Sequence, residues 1–169
     1  EKEICIITHY NPDGDAIGSS IAMALILKKS GHKVHLISPN DFPEFLSWMP
    51  LTNDFIIAYH QKNKAKKILN EADLIICLDF NHLSRVDILE KALEKATPKK
   101  ILIDHHPSPA CFADVVLSDT SVSSTAELVY EFMEFTGSVQ FIDRDIAESL
   151  YVGIMTDTGN FSFNSSNPR

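Results

Sequence analysis

Short apolar runs, each closed by aspartate or histidine, set the limits on what this chain can fold into. Residues 4–7 lead into Thr8-His9-Tyr10-Asn11-Pro12-Asp13-Gly14-Asp15. Residues 74–78 lead into Asp79, and residues 101–103 into Asp104-His105-His106-Pro107. A run this short with no polar alternation fits a strand covered on both faces, as in parallel sheets. Helical segments lie between the runs. Ile17, Ile21, Leu25 and Lys28 recur at helical spacing in a helix expected over 15–30, with Gly31 as its stop. Further strands are expected over 34–37, 55–58 and 115–117, and helices over 42–49, 62–69 and 86–96. A helix capped by Ser121 or Ser123 should run to Phe135, and a last one from Asp143 to Met155. This alternation predicts an α/β fold, a doubly wound, mainly parallel sheet with helices on both faces. In such sheets function collects beyond the carboxyl ends of the strands.

Length and charge narrow the partners. A chain of 169 residues suits one domain over residues 1–169. Its formal net charge of −8 argues against gripping a long nucleic-acid duplex, yet a short anion is admissible where local positive charge prevails. No apolar run is long enough to span a bilayer, and the start has no signal-peptide core. Cys5, Cys77 and Cys111 form no CxxC pair, and Cys5 and Cys77 sit in apolar runs, so free thiols and a cytoplasmic location are expected. The lysines at 62, 64, 66 and 67 read as a solvated helix face.

Three strand ends thus deliver acids and histidines to one edge of the sheet. Asp157, within Gly153-Ile154-Met155-Thr156-Asp157-Thr158-Gly159, is a fourth contribution from the end of the last helix. Carboxylates converging in one pocket either take up protons or bind cations. Two divalent ions would balance the charges of Asp13, Asp15, Asp79 and Asp157. Imidazole and carboxylate without thiolate favour Mn²⁺ or Mg²⁺, with Co²⁺ among the alternatives, and histidine shifts the preference to Mn²⁺. Asp13 or Asp15 can also cap the first helix, and the two roles can coexist.

The four motifs together resemble the DHH phosphoesterase superfamily, named for its Asp-His-His motif. The resemblance runs through His9 to Ser19, Leu78-Asp79, Asp104 to Pro107 and Gly153 to Gly159, in that order along nearly the whole chain. Pro12-Asp13-Gly14-Asp15-Ala16-Ile17-Gly18-Ser19, the Ser123-Ser124-Thr125-Ala126-Glu127-Leu128 stretch and Thr156-Asp157-Thr158-Gly159 are similar to the nanoRNase and pAp-phosphatase branch. Family II pyrophosphatases usually carry Lys or Arg directly after the second histidine, where this chain has Pro107.

The resemblance implies that His9, Asp13 and Asp79 hold one metal. It gives the other to Asp15, Asp79, His105 and Asp157, with Asp79 bridging. His106 would face the substrate phosphate, and Asp104 would orient a histidine. It also implies a smaller C-terminal domain for substrate capture, and the chain reaches Asn167-Pro168-Arg169 before such a domain could begin. The implied activity is two-metal hydrolysis of phosphoesters in short nucleotides, either trimming oligoribonucleotides or removing the 3′-phosphate of pAp. Linear products of cyclic dinucleotides are a third candidate substrate. A manganese-dependent pyrophosphatase and a nucleotide-sensing domain without turnover are the alternatives, and a homodimer is left open. Arg85, six positions after Asp79, is a candidate phosphate ligand or a surface salt-bridge partner. Ser123 and Ser124 are candidates either for anion binding at a helix N-terminus or for plain capping.

Overall fold

The computed structural model describes residues 1–163, so Asn167, Pro168 and Arg169 lie outside the described residues. Six parallel strands form one sheet in the order β3-β2-β1-β4-β5-β6. They are β1 (Glu3–Ile7), β2 (Lys33–Ser38), β3 (Phe55–Ile57), β4 (Leu74–Leu78), β5 (Lys99–Asp104) and β6 (Val115–Ser118). The helices are α1 (Gly14–Lys29), α2 (Ala58–Glu71), α3 (Glu90–Lys95), α4 (Thr125–Phe135) and α5 (Arg144–Asp157). The expected doubly wound α/β architecture is therefore present.

Strand side chains alternate between two cores. Ile4, Ile6, Ile76, Leu78 and Ile103 pack with residues of α1, α4 and α5. Cys5, Ile7, Ile75, Cys77 and Leu102 pack on the other face, with Ala65 and Leu69 of α2 and Leu93 of α3. The central strands β1 and β4 are apolar along most of their length because both faces are covered. Cys5 and Cys77 are buried free thiols and Cys111 is an exposed one.

The strand order reverses between β1 and β4, which leaves a crevice at their carboxyl ends. Ile7 is level with Cys77, and Cys77 with Leu102. His9, Asp79 and Asp104 therefore emerge at neighbouring heights on one rim. Helix α1 starts at that rim and is buried along most of its length. Two glycines let α1, α4 and α5 pack closely there. A Cβ on Gly18 would run into the Ser149 carbonyl oxygen, and one on Gly153 would lie 2.8 Å from Asp15 Oδ1.

Three expectations need correction. Over 42–49 there is only a 3₁₀ turn, Glu44–Leu46, because Pro43 and Pro50 disfavour helical geometry in the residues before them. Over 86–96 the chain forms a 3₁₀ segment, Leu83–Leu89, before the short α3. Its regular turn breaks at Asp87, with φ 46° and ψ −115°. Val86 and Leu89, on either side of that break, are both buried. Helix α4 is capped by Ser124, not by Ser121 or Ser123. Among the described residues no helix is long and apolar enough to cross a membrane.

Candidate metal centre

The loop after β1 performs two tasks with neighbouring carboxylates. Asp13 Oδ1 accepts hydrogen bonds from the Asp15 and Ala16 amides, both at 3.0 Å, and so caps α1. The Asp13 side chain stays exposed, next to His9 and Asp79. His9 Nδ1 lies 2.9 Å from the Tyr10 carbonyl oxygen. Donation there turns Nε2 toward Asp79, 3.4 Å from Oδ2, so that Nε2 is the atom that gains or gives up the ring's second proton.

Asp79 follows β4 directly, and its amide donates to the Ile103 carbonyl at 3.1 Å. Its φ of 67° lies in the left-handed region, a strained conformation for a residue with a β-carbon. The carboxylate is buried between several partners. Thr125 Oγ1 donates to Asp79 Oδ1 at 2.7 Å, and His105 Nε2 and His106 Nδ1 each stand 3.7 Å from the same oxygen. Burial pushes this carboxyl up, but the bond and charge of His9, the Thr125 hydroxyl and the His105 charge outweigh it and hold it low. His9 is the reciprocal case: burial opposes its proton, and Asp79 raises it above the ordinary imidazole range.

Asp15 is fully buried, and its two oxygens accept from the amides of Thr125 at 2.6 Å and Ala126 at 2.9 Å. The N-terminus of α4 is thus an anion site filled from within the molecule. Burial, then the Asp79 charge, raise Asp15 well above the usual carboxylate range despite those amides. Asp157, the last residue of α5, is half-buried, with Oδ2 3.2 Å from His105 Nε2. Burial raises it, and the Asp79 and Asp13 charges add to this against the opposing His105.

His106 is held differently. Its Nδ1 lies 2.8 Å from Oδ1 of the buried Asp104. The Asp104 bond, partly offset by burial and by the Arg85 charge, raises its pKa. Among the described residues, the buried Asp104 Oδ2 has no hydrogen-bond partner, so a field of positive charge at this rim would relieve it.

Among the described residues, three sets of donor atoms lie close enough to share an ion: His9, Asp13 and Asp79; Asp15, His105 and Asp157; and Asp79, His105 and His106. The first two sets coincide with the ligand groups implied from sequence, less the bridging Asp79 in the second. The third brings His106 nearer to the ligand set than that reading implied. The donors are oxygen and imidazole only, and burial together with neighbouring carboxylates pushes Asp15 and Asp157 up. Both features fit hard divalent ions.

The other candidates fall outside these sets. Arg85 lines a neighbouring cavity of about 290 Å³, and among the described residues no carboxylate lies within ion-pair distance of it. Ser124 caps α4, accepting from the Glu127 amide, while Glu127 accepts from the Ser123 amide and hydroxyl at 2.8 Å each. Both serines are therefore engaged in fixing the helix start, and the amides there face Asp15. Thr125 was missed from sequence. The signal was the helix-start pattern itself, whose anion turns out to be a carboxylate of this chain.

The family model described as the DHH family, N-terminal domain, matches residues 3–154. The bifunctional oligoribonuclease and PAP phosphatase NrnA of Thermus thermophilus is 30% identical over 178 residues, covering 99% of this chain and 47% of the relative. The cyclic-di-AMP phosphodiesterase PdeA of Listeria monocytogenes is 26% identical over 95% of this chain and 25% of its own length. The crystal structure of an exopolyphosphatase-related protein from Bacteroides fragilis matches with a TM-score of 0.97 at 42% identity, over 98% of this chain and 49% of that one. The chain spans about half the length of the NrnA relatives it matches. With its motifs assembled at one rim, it belongs to the DHH family.

Proposed function

We propose that this chain is the phosphoester-hydrolysing domain of an enzyme acting on short nucleotides, either an oligoribonucleotide exonuclease or a phosphatase on pAp. The observation that carries this reading is the position of Asp79. It touches His9 on one side and His105 on the other, so two donor sets meet on one carboxylate. His9, Asp13 and Asp79 would hold one divalent ion, and Asp15, Asp79, His105 and Asp157 a second, with Mn²⁺ preferred. Bound divalent ions of this kind lower the pKa of water and neutralise charge on phosphoryl oxygens.

The chain's own residues supply the rest. Asp104 fixes the His106 ring through Nδ1, which leaves Nε2 to donate a proton to the leaving ester oxygen. Arg85 offers its planar fork to a phosphate. Thr125 and the α4 amides hold Asp79 and Asp15 in place before substrate arrives. The net charge of −8 disfavours long polyanions away from the centre, which suits a short substrate. The names of the NrnA relatives point to the same substrate class.

The test is a panel assayed with Mn²⁺: pAp, a diribonucleotide, a longer RNA and pyrophosphate. Release of mononucleotides from the dinucleotide or orthophosphate from pAp, ahead of the longer RNA and pyrophosphate, is the expected result. Cleavage of pyrophosphate alone would overturn the proposal in favour of a pyrophosphatase.

A further inference from the structure

Beside the candidate metal centre lies a second feature that the motifs do not account for. Tyr10, Tyr59, Ser84, Arg85 and Asp87 line a cavity of about 290 Å³. Both tyrosine rings are exposed, at 38% and 50%, with centroids 6.2 Å apart and planes inclined at 49°. The Tyr59 hydroxyl donates to Asp87 Oδ2 at 2.6 Å, which fixes that ring and leaves Oδ1 as a further acceptor. Asp87 itself sits at φ 46°, in the region costly for a side-chain-bearing residue, as binding-site residues often do.

The cavity is joined to the metal centre through its own residues. The Tyr10 amide donates to the Arg85 carbonyl at 2.7 Å, while the Tyr10 carbonyl oxygen orients His9. Arg85 therefore stands at the boundary, with the tyrosines on one side and, through its carbonyl, the Tyr10 backbone that orients His9 on the other. Aromatic faces beside a cation capable of binding phosphate form a surface on which a base can stack while its phosphate is held.

We propose that this cavity is a nucleobase subsite, in which Tyr10 and Tyr59 stack the base and Arg85 grips the attached phosphate. The inference deepens the proposed function, on which it rests for the substrate class. It adds that recognition includes the base, through this domain's own residues. Ser84 and Asp87 supply polar groups for the edge of the base or the ribose.

The test needs no turnover. Binding of adenosine 5′-monophosphate and of ribose 5-phosphate to the chain is followed by NMR titration, for the wild type and for Tyr10→Ala, Tyr59→Ala and Tyr10→Phe. The wild type is expected to bind the nucleotide about tenfold more tightly than the base-free sugar phosphate. Each alanine variant should lose most of that preference, and Tyr10→Phe should keep it. Both side chains are exposed, so folding should survive, as circular dichroism will verify. Equal affinities in the wild type, or a preference that survives both alanine variants, would overturn the subsite. Nucleotide preference without hydrolysis of any nucleotide would leave the subsite standing and remove the proposed activity instead.

Discussion

The Thr125 hydroxyl donates a 2.7 Å hydrogen bond to Asp79 Oδ1, joining the first turn of α4 to the strained residue after β4. The bond fills one lone-pair direction of the carboxylate and so restricts the directions left for a cation. Replacing Thr125 with valine keeps the shape and removes the donor. Mn²⁺ affinity should fall by about tenfold or more, as for other groups that orient metal ligands. Thr125→Ser should recover most of it. Unchanged affinity in the valine variant, measured by calorimetry, would remove Thr125 from the account.

His106 and Arg85 should separate binding from chemistry. His106→Ala is expected to retain metal while lowering kcat by about a hundredfold or more, the usual scale for a lost proton donor. Parallel loss of metal would place His106 among the ligands, as its nearness to Asp79 and His105 allows. Arg85→Ala should act mainly on KM. An unaltered KM would return Arg85 to an ordinary surface role.

The metal-free protein should grow more stable as the pH falls from about 8 toward about 5. Asp15 and Asp157 have folded-state pKa values above their unfolded ones, so the folded form binds the extra proton. His9 works in the same direction, because its raised pKa contributes stability that is lost as the pH rises through it. Asp79, held low, is unaffected in this range and loses its contribution only in more acidic solution. In more acidic solution Asp143 reverses the trend. Its bond with Lys29 and its cap on Ile146 depress its pKa, and that contribution disappears as the pH falls through the folded value. Thermal melts in chelator are the measurement, and Asp15→Asn should flatten the slope. Melting temperatures that climb steadily from pH 5 to pH 8 would contradict the assignment.

Gly153 tests the packing behind the site. A β-carbon there would lie 2.5 Å from Ala126 Cβ and 2.8 Å from Asp15 Oδ1. Gly153→Ala should destabilise the fold by about 1–3 kcal/mol and weaken metal binding together, because the clash falls on a candidate ligand. Denaturant unfolding alongside Mn²⁺ titration would show whether the two losses coincide.

The strand-end acids and histidines were legible because each follows a buried apolar run. In a parallel sheet all such runs finish at the same rim. Asp13 was legible as both cap and candidate ligand for a local reason, the two-residue reach from its side chain to the Asp15 amide. The contacts of Asp15 and Asp79 with α4 were not. Asp15 meets Thr125 and Ala126 more than a hundred residues away, and no local pattern encodes that docking. A serine cap near this helix start was visible, though not which serine, and the sequence does not say which anion comes to rest against the helix start. Nor is the break at Asp87 written in helical periodicity. The Asp87 side chain there accepts a bond from Tyr59, a residue of a different element.

The most direct test is anomalous diffraction from crystals of this chain grown with Mn²⁺. Two peaks roughly 3.5–4 Å apart, flanking Asp79, are the expected result. A rim without manganese, or ions bound only away from Asp79, would contradict the central claim.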